Sequence, residues 1–288
     1  MAFNPHQFKA FAHVVREGSL SAAAKALGVS QSAITQHIAN LETVVGARLF
    51  LRARDGVELT STGQEFYELA DRYASLDALI GEKLQGYAEL ARGHLRIIAN
   101  APQPALRLIA RYAHIHQDVN IDFSLFDWST AMEMLQKQQI DIAIVTDPTE
   151  RANWHRMPIE LSRYVLYAHS SHRLAHRSQV SLRDVMSETL LLPESGSLTQ
   201  RIVTSALRRY DLHPRRIVRT TTFPVMKEAI LEGLGVGIFL EDSARNEQLI
   251  SAVPIRELST YHETCLVVPR HRMDLRLIQS FVRVAGDA

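Results

Sequence analysis

A chain of 288 residues, 46% hydrophobic and 22% charged, has the make-up of a soluble globular protein with room for about two to three domains. A formal net charge of +1 excludes a global basic field for nucleic acid, and a single cysteine, Cys265, excludes an internal disulfide, a two-thiol redox switch and a cysteine zinc site. No apolar run is long enough to cross a bilayer and the N-terminus shows no signal-peptide pattern, so no membrane partner is expected and the location read from the chain is cytoplasmic.

A first helix is expected over about Pro5 to Glu17, with Phe8, Phe11, Ala12 and Val15 on one face. Ser19 can cap a short alanine-rich helix that Gly28 stops, because glycine accepts the left-handed conformation after a helix end. Ser30 then caps another helix after a turn of about three residues, the connection of a helix-turn-helix. On that helix Ile34, Ile38 and Leu41 recur at i, i+4 and i+7 and should face inward with Leu27 and Val29. The opposite face carries Gln31, Ser32, Thr35 and Gln36, whose amides and hydroxyls suit base edges in a major groove. By themselves these four residues suit a solvated helical hairpin equally well. The segment from Arg48 to Thr60 favours the groove, because Asp55-Gly56 is a tight-turn signal between two short strands and a hairpin after a helix-turn-helix is a wing. Ser30, Arg48, Arg52 and Arg54 are the candidate phosphate contacts, against the plainer reading of the arginines as surface charge. Up to Thr62 the basic residues Lys9, Arg16, Lys25, Arg48, Arg52 and Arg54 outnumber Glu17, Glu42, Asp55 and Glu58 by two.

From Thr62 to about Ala91 the pattern is one long helix. Phe66, Leu69, Tyr73, Leu76, Ile80 and Tyr87 form an a/d stripe that Lys83 interrupts. Such a rod would be roughly 40 Å long and cannot bury its stripe within a small winged domain. Pairing with a second copy is the simplest solution; docking on the chain's own globular part is the alternative. Residues 1–61 are thus read as a winged helix-turn-helix, 62–91 as a dimerisation helix and 95–288 as an α/β domain.

After Arg92-Gly93-His94, strands and helices alternate. Leu95–Ala99, Ile121–Phe126 and Ile140–Val145 are expected strands, with helices from about Pro104 to His116 and from Ser129 to Gln138. Tyr164–His169 should begin a second lobe, continued by strands at Thr189–Leu192, Ile217–Thr221 and Gly235–Leu240 and by helices at about Leu198–Tyr210 and Val225–Leu234. Thr264–Val268 reads as a return crossing and Leu275–Val284 as a last helix on the first lobe. The predicted architecture is a two-lobed clamshell resembling a periplasmic binding protein, lobe I at about 95–162 and 266–288 and lobe II at about 163–265, with a pocket at the hinge.

These residues carry a family resemblance over the whole chain. Gly18-Ser-Leu…Ala-Ala…Leu27, Val29-Ser-Gln-Ser-Ala-Ile-Thr-Gln-His-Ile…Leu41-Glu42, Gly46-Ala-Arg-Leu-Phe50, Arg52 and Leu59-Thr60…Gly63 closely resemble the head of LysR-type transcriptional regulators. Pro193-Glu-Ser-Gly-Ser197 and Glu228-Ala-Ile…Gly233-Leu-Gly-Val-Gly237 resemble the same family's later part. The chain departs from the pattern at Ser32, where proline is common, at Thr35, where serine is common, and at Leu51, where an acidic residue is frequent. The resemblance implies a non-enzymatic regulator that binds double-stranded DNA with dyad symmetry as a homodimer or homotetramer, with RNA polymerase as a further partner, and that senses a small molecule. Leu249…Val253-Pro-Ile and Glu263-Thr-Cys-Leu-Val resemble the branch associated with 2-aminoethylphosphonate catabolism.

An anionic effector is expected on physical grounds. Asn100-Ala-Pro-Gln103 and Ser195-Gly-Ser-Leu-Thr-Gln200 each precede a helix, and two helix N-termini facing one cleft offer free N–H groups and favourable dipoles. Gln103, Thr130, Thr146, Ser197 and Thr199 could add polar contacts, although each could equally cap a helix or close a turn. The resemblance places the inducer pocket in the same loops, which adds Asn100, Ala101, Leu198 and Phe223 to the candidates. No cofactor or metal is called for. His169, His172 and His176 lack an acidic partner at ligand spacing, and Glu194-Ser195-Gly196 has one glycine too few for a nucleophile elbow. The rival is a small-molecule-binding protein or enzyme with a helical accessory domain.

Overall fold

The computed structural model describes residues 4–51, 57–84, 93–137, 139–244 and 247–287. Asn4 accepts the His6 N–H at 3.0 Å and opens α1 (Pro5–Glu17), with proline where a missing N–H costs nothing. The Ser19 hydroxyl accepts the Ala22 N–H at 3.1 Å and opens α2 (Leu20–Leu27). Gly28, at φ 65°, ends α2 in the left-handed region that a side chain would disfavour. Two residues later Ser30 accepts from Ala33 and opens α3 (Gln31–Val45). The wing base is a two-residue pairing of β1 (Phe50–Leu51) with β2 (Glu58–Leu59); its expected tip, with Arg52, Arg54 and Asp55-Gly56, lies outside the described residues.

The head's core is built as its apolar periods require. Ile34, Ile38 and Leu41 are buried, and Phe11 meets Phe50 at 5.3 Å and Tyr67 at 6.3 Å between ring centroids. Val29 corrects the expectation: it is 46% exposed, because it sits in the turn, where its N–H bonds Ala24 and helical periodicity no longer sets direction.

The long helix α4 (Ser61–Leu84) has two working faces. Tyr67, Ala70, Asp71, Ala74 and Ser75 are buried within the chain, whereas Leu69, Leu76 and Ile80 are 55%, 53% and 51% exposed. Phe66 turns to the head, 6.3 Å from Phe8, so the stripe expected for pairing is shared at its first position. Tyr73 is half-buried, and Tyr87 lies outside the described residues.

The remaining elements alternate in order: β3 (Gly93–Ala99), α5 (Ala105–Ile115), β4 (Val119–Leu125), α6 (Trp128–Gln136), β5 (Ile142–Thr146), β6 (Trp154–His169), α7 (Leu182–Val185), β7 (Thr189–Pro193), α8 (Leu198–Arg209), β8 (Arg216–Thr220), α9 (Phe223–Leu231), β9 (Val236–Leu240), β10 (Ile250–Pro254), β11 (Tyr261–Pro269) and α10 (Arg276–Gly286). Among the described residues the strands run β4-β3-β5-β11-β6-β9-β7-β8, with β10 also on β6. Parallel β3, β4 and β5 make lobe I and parallel β7, β8 and β9 make lobe II; antiparallel β6 and β11 cross between them. The second lobe does not begin with a new strand at Tyr164. β6 starts at Trp154 and runs through both lobes, pairing first with β11 and then with β9 and β10; after Trp154 its first half is only half-buried, with Pro158 exposed, so no apolar run marks it in the sequence. β10 was not among the expected strands. Lobe II is cored by Leu166, Leu190, Val203 and Phe239, and lobe I by Leu95, Tyr112 and Phe281 on one side of its sheet and Ile98, Leu135 and Val145 on the other.

Candidate DNA-reading face and effector cleft

Burying Ile34, Ile38 and Leu41 turns Gln31, Ser32, Thr35 and Gln36 outward, and all four are exposed. Three of the side chains are held locally: Ser32 by the cap residue Ser30 at 2.9 Å, Thr35 by the Gln31 carbonyl at 2.9 Å and Gln36 by Asn40 at 2.8 Å. A base edge must replace these weak exposed bonds, which costs little. A groove of about 680 Å³ between α3 and the wing base brings Gln31, Thr35 and Arg48 together with Ser21 and Leu51. Arg48 projects into solvent while paired to Glu42 at 2.9 Å, and Glu42 also accepts the Leu49 N–H at 2.8 Å, so the arginine is anchored beside α3. Gln36→Ala is expected to weaken operator binding about 5- to 150-fold, the range for losing one bidentate base contact, in a mobility-shift titration at fixed salt.

His13 on α1 is half-buried within this head. Burial first, then the nearby Arg16, Lys9 and Arg96, lower its pKa to about 4. The unfolded chain takes up that proton near pH 6.5, so stability is complete above 6.5 and is lost progressively as pH falls toward 4. His13→Gln should flatten the slope of the head's urea midpoint between pH 6.5 and 4.5.

The cleft lies where lobe I and lobe II meet. Asp127 caps α6, accepting from the Ser129 and Thr130 N–H groups at 3.0 and 3.2 Å and from the Thr130 hydroxyl. Across the gap the Gly196 carbonyl accepts from the Ser129 N–H at 3.2 Å and the Ser129 hydroxyl at 3.1 Å. At φ 98°, and with a Cβ there only 2.5 Å from Asp127 Oδ1, position 196 needs glycine for this lobe-to-lobe contact. Thr130 is therefore committed to its own helix cap. By contrast α5 and α8 begin without any side-chain cap, at Pro104 and Ser197.

Other candidates divide into those brought together and those absorbed by the core. Asn100 Oδ1 accepts the Thr146 N–H at 3.0 Å, and the fully buried Thr146 hydroxyl shares a 2.9 Å bond with Thr264. Thr199 is buried and bonds the Tyr164 hydroxyl, whose titration burial pushes up. Gln103 Oε1 is buried without a hydrogen-bond partner. Ala101 and Phe223 are core residues of lobe II, Phe223 stacking on Phe239 at 4.7 Å. Leu198 lines a groove of about 580 Å³ with Trp128, Asp147, Arg201, Arg209 and Tyr210. Sequence reasoning missed Trp128 and Arg201, whose guanidinium lies 4.1 Å from the indole centre; the one available signal was a basic residue in the first turn of a helix opened by Ser197. Burial alone would raise the Asp147 carboxyl, but His262 Nδ1 at 2.5 Å and the Glu263 N–H at 3.0 Å hold it low.

His172 faces Glu188 at 3.3 Å and His169 bonds Ser171 at 2.7 Å; among the described residues no three His, Cys, Asp or Glu side chains are grouped to hold a metal ion. No helix among them is long and apolar enough to cross a membrane.

Comparison with known proteins agrees with this anatomy. Residues 5–64 match the family model described as bacterial regulatory helix-turn-helix protein, lysR family, and residues 88–288 match LysR substrate binding domain. The chain is 30% identical over 285 residues to the uncharacterized HTH-type transcriptional regulator MJ0300 of Methanocaldococcus jannaschii, covering 95% of each. Full-length OxyR of Pseudomonas aeruginosa superposes with a TM-score of 0.81 at 17% identity, over 99% of this chain and 95% of that one. The regulatory domain of CcmR from Synechocystis, in complex with 2-PG, superposes with a TM-score of 0.60 at 17% identity, over 68% of this chain and 97% of that one.

Proposed function

The chain belongs to the LysR family of DNA-binding transcriptional regulators, and from that premise we propose that it grips a dyad-symmetric operator as a homodimer or homotetramer and answers to a small anionic metabolite between its lobes. The observation that carries the DNA half is the exposed row Gln31, Ser32, Thr35 and Gln36 on a helix whose other side is locked by Ile34, Ile38 and Leu41. Ser30, Arg48, Arg52 and Arg54 hold phosphates, and Leu69, Leu76 and Ile80 pair two copies, setting two heads in successive major grooves. Footprinting on DNA upstream of its own gene tests this: two protected half-sites about one helical turn apart are expected, with affinity falling steeply with salt. A monomer that ignores that DNA would overturn it.

The effector half rests on the uncapped starts of α5 and α8 and on the buried, unpartnered oxygen of Gln103, just before α5. A likeness to a domain solved with 2-PG is consistent with an anion there. The narrowest form of the reading is a phosphonate such as 2-aminoethylphosphonate, and RNA polymerase is the proposed downstream partner. A ligand that prefers one subunit arrangement over another then changes the contacts on DNA. Thermal-shift screening of phosphonates, phosphate, sulfate and small carboxylates should find a stabilising anion, about 2.7 kcal/mol at a hundred times Kd. Gln103→Ala, Thr146→Ala and Thr199→Ala should each weaken that shift and the transcriptional response. Three variants that respond like the parent would move the site elsewhere.

A further inference from the structure

Leu198, Ile202 and Ala206 recur at i, i+4 and i+8 on α8 and floor the groove that runs along that helix to Tyr210. Trp128 and Asp147 wall the groove from lobe I, and Glu257, in a 3₁₀ turn at Arg256–Leu258, walls it from lobe II. A body lying there touches both lobes. The volume, about 580 Å³, falls within the range of small-molecule sites, about 300–1,000 Å³.

Two carboxylates and two guanidinia line the groove, and they are not equivalent. Asp147, in the left-handed region at φ 46°, is fixed by His262 Nδ1 at 2.5 Å and the Glu263 N–H at 3.0 Å. Glu257 accepts the Leu182 N–H at 2.9 Å. Both acids are thus engaged by the chain's own donors. Arg201 and Arg209 rest on rings instead, 4.1 Å from the Trp128 centre and 5.8 Å from the Tyr210 centre, and among the described residues neither forms an ion pair. A guanidinium over a ring keeps its N–H groups for another acceptor. The indole beneath Arg201 is itself fixed, its N–H donating to the Thr146 carbonyl at 2.8 Å. The charge this groove has free for a ligand is therefore positive. It sits at two points about 12 Å apart along the helix, with the apolar strip between them.

The geometry points to a second ligand site, separate from the anion expected at the starts of α5 and α8. The groove takes an organic dianion with an apolar middle, a medium-chain dicarboxylate, each carboxylate accepting the N–H fork of one arginine. Its methylenes cover Leu198, Ile202 and Ala206. Held by Trp128 of lobe I and α8 of lobe II together, the ligand stabilises the arrangement in which the lobes meet. The inference goes beyond the regulator reading, and its test needs neither operator nor cleft anion.

Octanedioate is titrated into the full-length protein while tryptophan emission is followed. Trp128 is the reporter, because the chain's other tryptophan, Trp154, is only 4% exposed. A saturable change is expected, and Trp128→Phe should abolish it. Octane-1,8-diol, which lacks the charges, and succinate, which lacks the apolar length, should each bind about tenfold or more weakly. Arg201→Gln and Arg209→Gln, both at exposed positions, should each raise the octanedioate Kd about tenfold or more. Arg209 lies more than two turns beyond Arg201, so a dicarboxylate seated in the cleft would ignore its loss. No saturable change, which a second copy seated in the groove would also give, overturns the proposal. So do a diol or succinate that binds as tightly as octanedioate, and an Arg209→Gln variant with the parental Kd.

Discussion

Replacing Leu76 and Ile80 together with glutamate is expected to leave the protein monomeric and to lower its operator affinity by about a hundredfold or more. Both side chains are roughly half exposed in the single chain, as is Leu69 about two turns before Leu76, while the opposite side of the same helix is occupied by its own head and by the turn at Arg270–Arg272. Fully burying such side chains contributes about 1.5–3 kcal/mol each, and placing carboxylates there adds a desolvation cost. A dimer presents its second head to the second half-site at an effective concentration in the millimolar range, an avidity gain of about 10²–10⁴ that a monomer forfeits. Sedimentation velocity and an operator titration at one salt concentration read the two effects. A variant that still dimerises with parental affinity would place the pairing surface on another face.

Phe11→Ala is expected to cost about 3–5 kcal/mol and to unfold the head while the two-lobed domain keeps its own transition. Phe11 has no exposed surface and touches both Phe50 at the wing base and Tyr67 on the rod, so its loss opens a cavity where three elements converge. A domain of about sixty residues has little stability to spare. Calorimetry should show a lowered or missing first transition, with DNA binding lost at a temperature the parent tolerates. A head whose melting is unaffected would mean that the rings around Phe11 close the gap.

Much of the head was legible because its signals are local. A capping serine, a glycine at the helix end and an i, i+4, i+7 repeat each act within one or two turns, so Ser19, Gly28, Ser30 and the buried Ile34, Ile38 and Leu41 could be placed without knowing what they pack against. Once three positions of α3 are inward, geometry leaves Gln31, Ser32, Thr35 and Gln36 outward. The parallel strands were legible for the same kind of reason, since a strand covered on both sides is a continuous apolar run, as at Ile142–Thr146. Val29 failed because a turn has no period, and the first half of β6 failed because its alternation is interrupted by Pro158.

The chain by itself thus determined which elements form, which face of α3 is free and that α4 carries more apolar surface than a winged head can cover. Only the tertiary structure decided which partners distant residues take: Phe66 for the head, Ala101 and Phe223 for the lobe II core, Thr130 for its own cap, Arg201 over Trp128, and Asp71 with Arg272 some two hundred positions later. The physical reason is range. Backbone preferences and helical periods are written in neighbours along the chain, whereas the partner of a buried charge or ring is chosen by which surfaces the finished packing brings within a few ångströms.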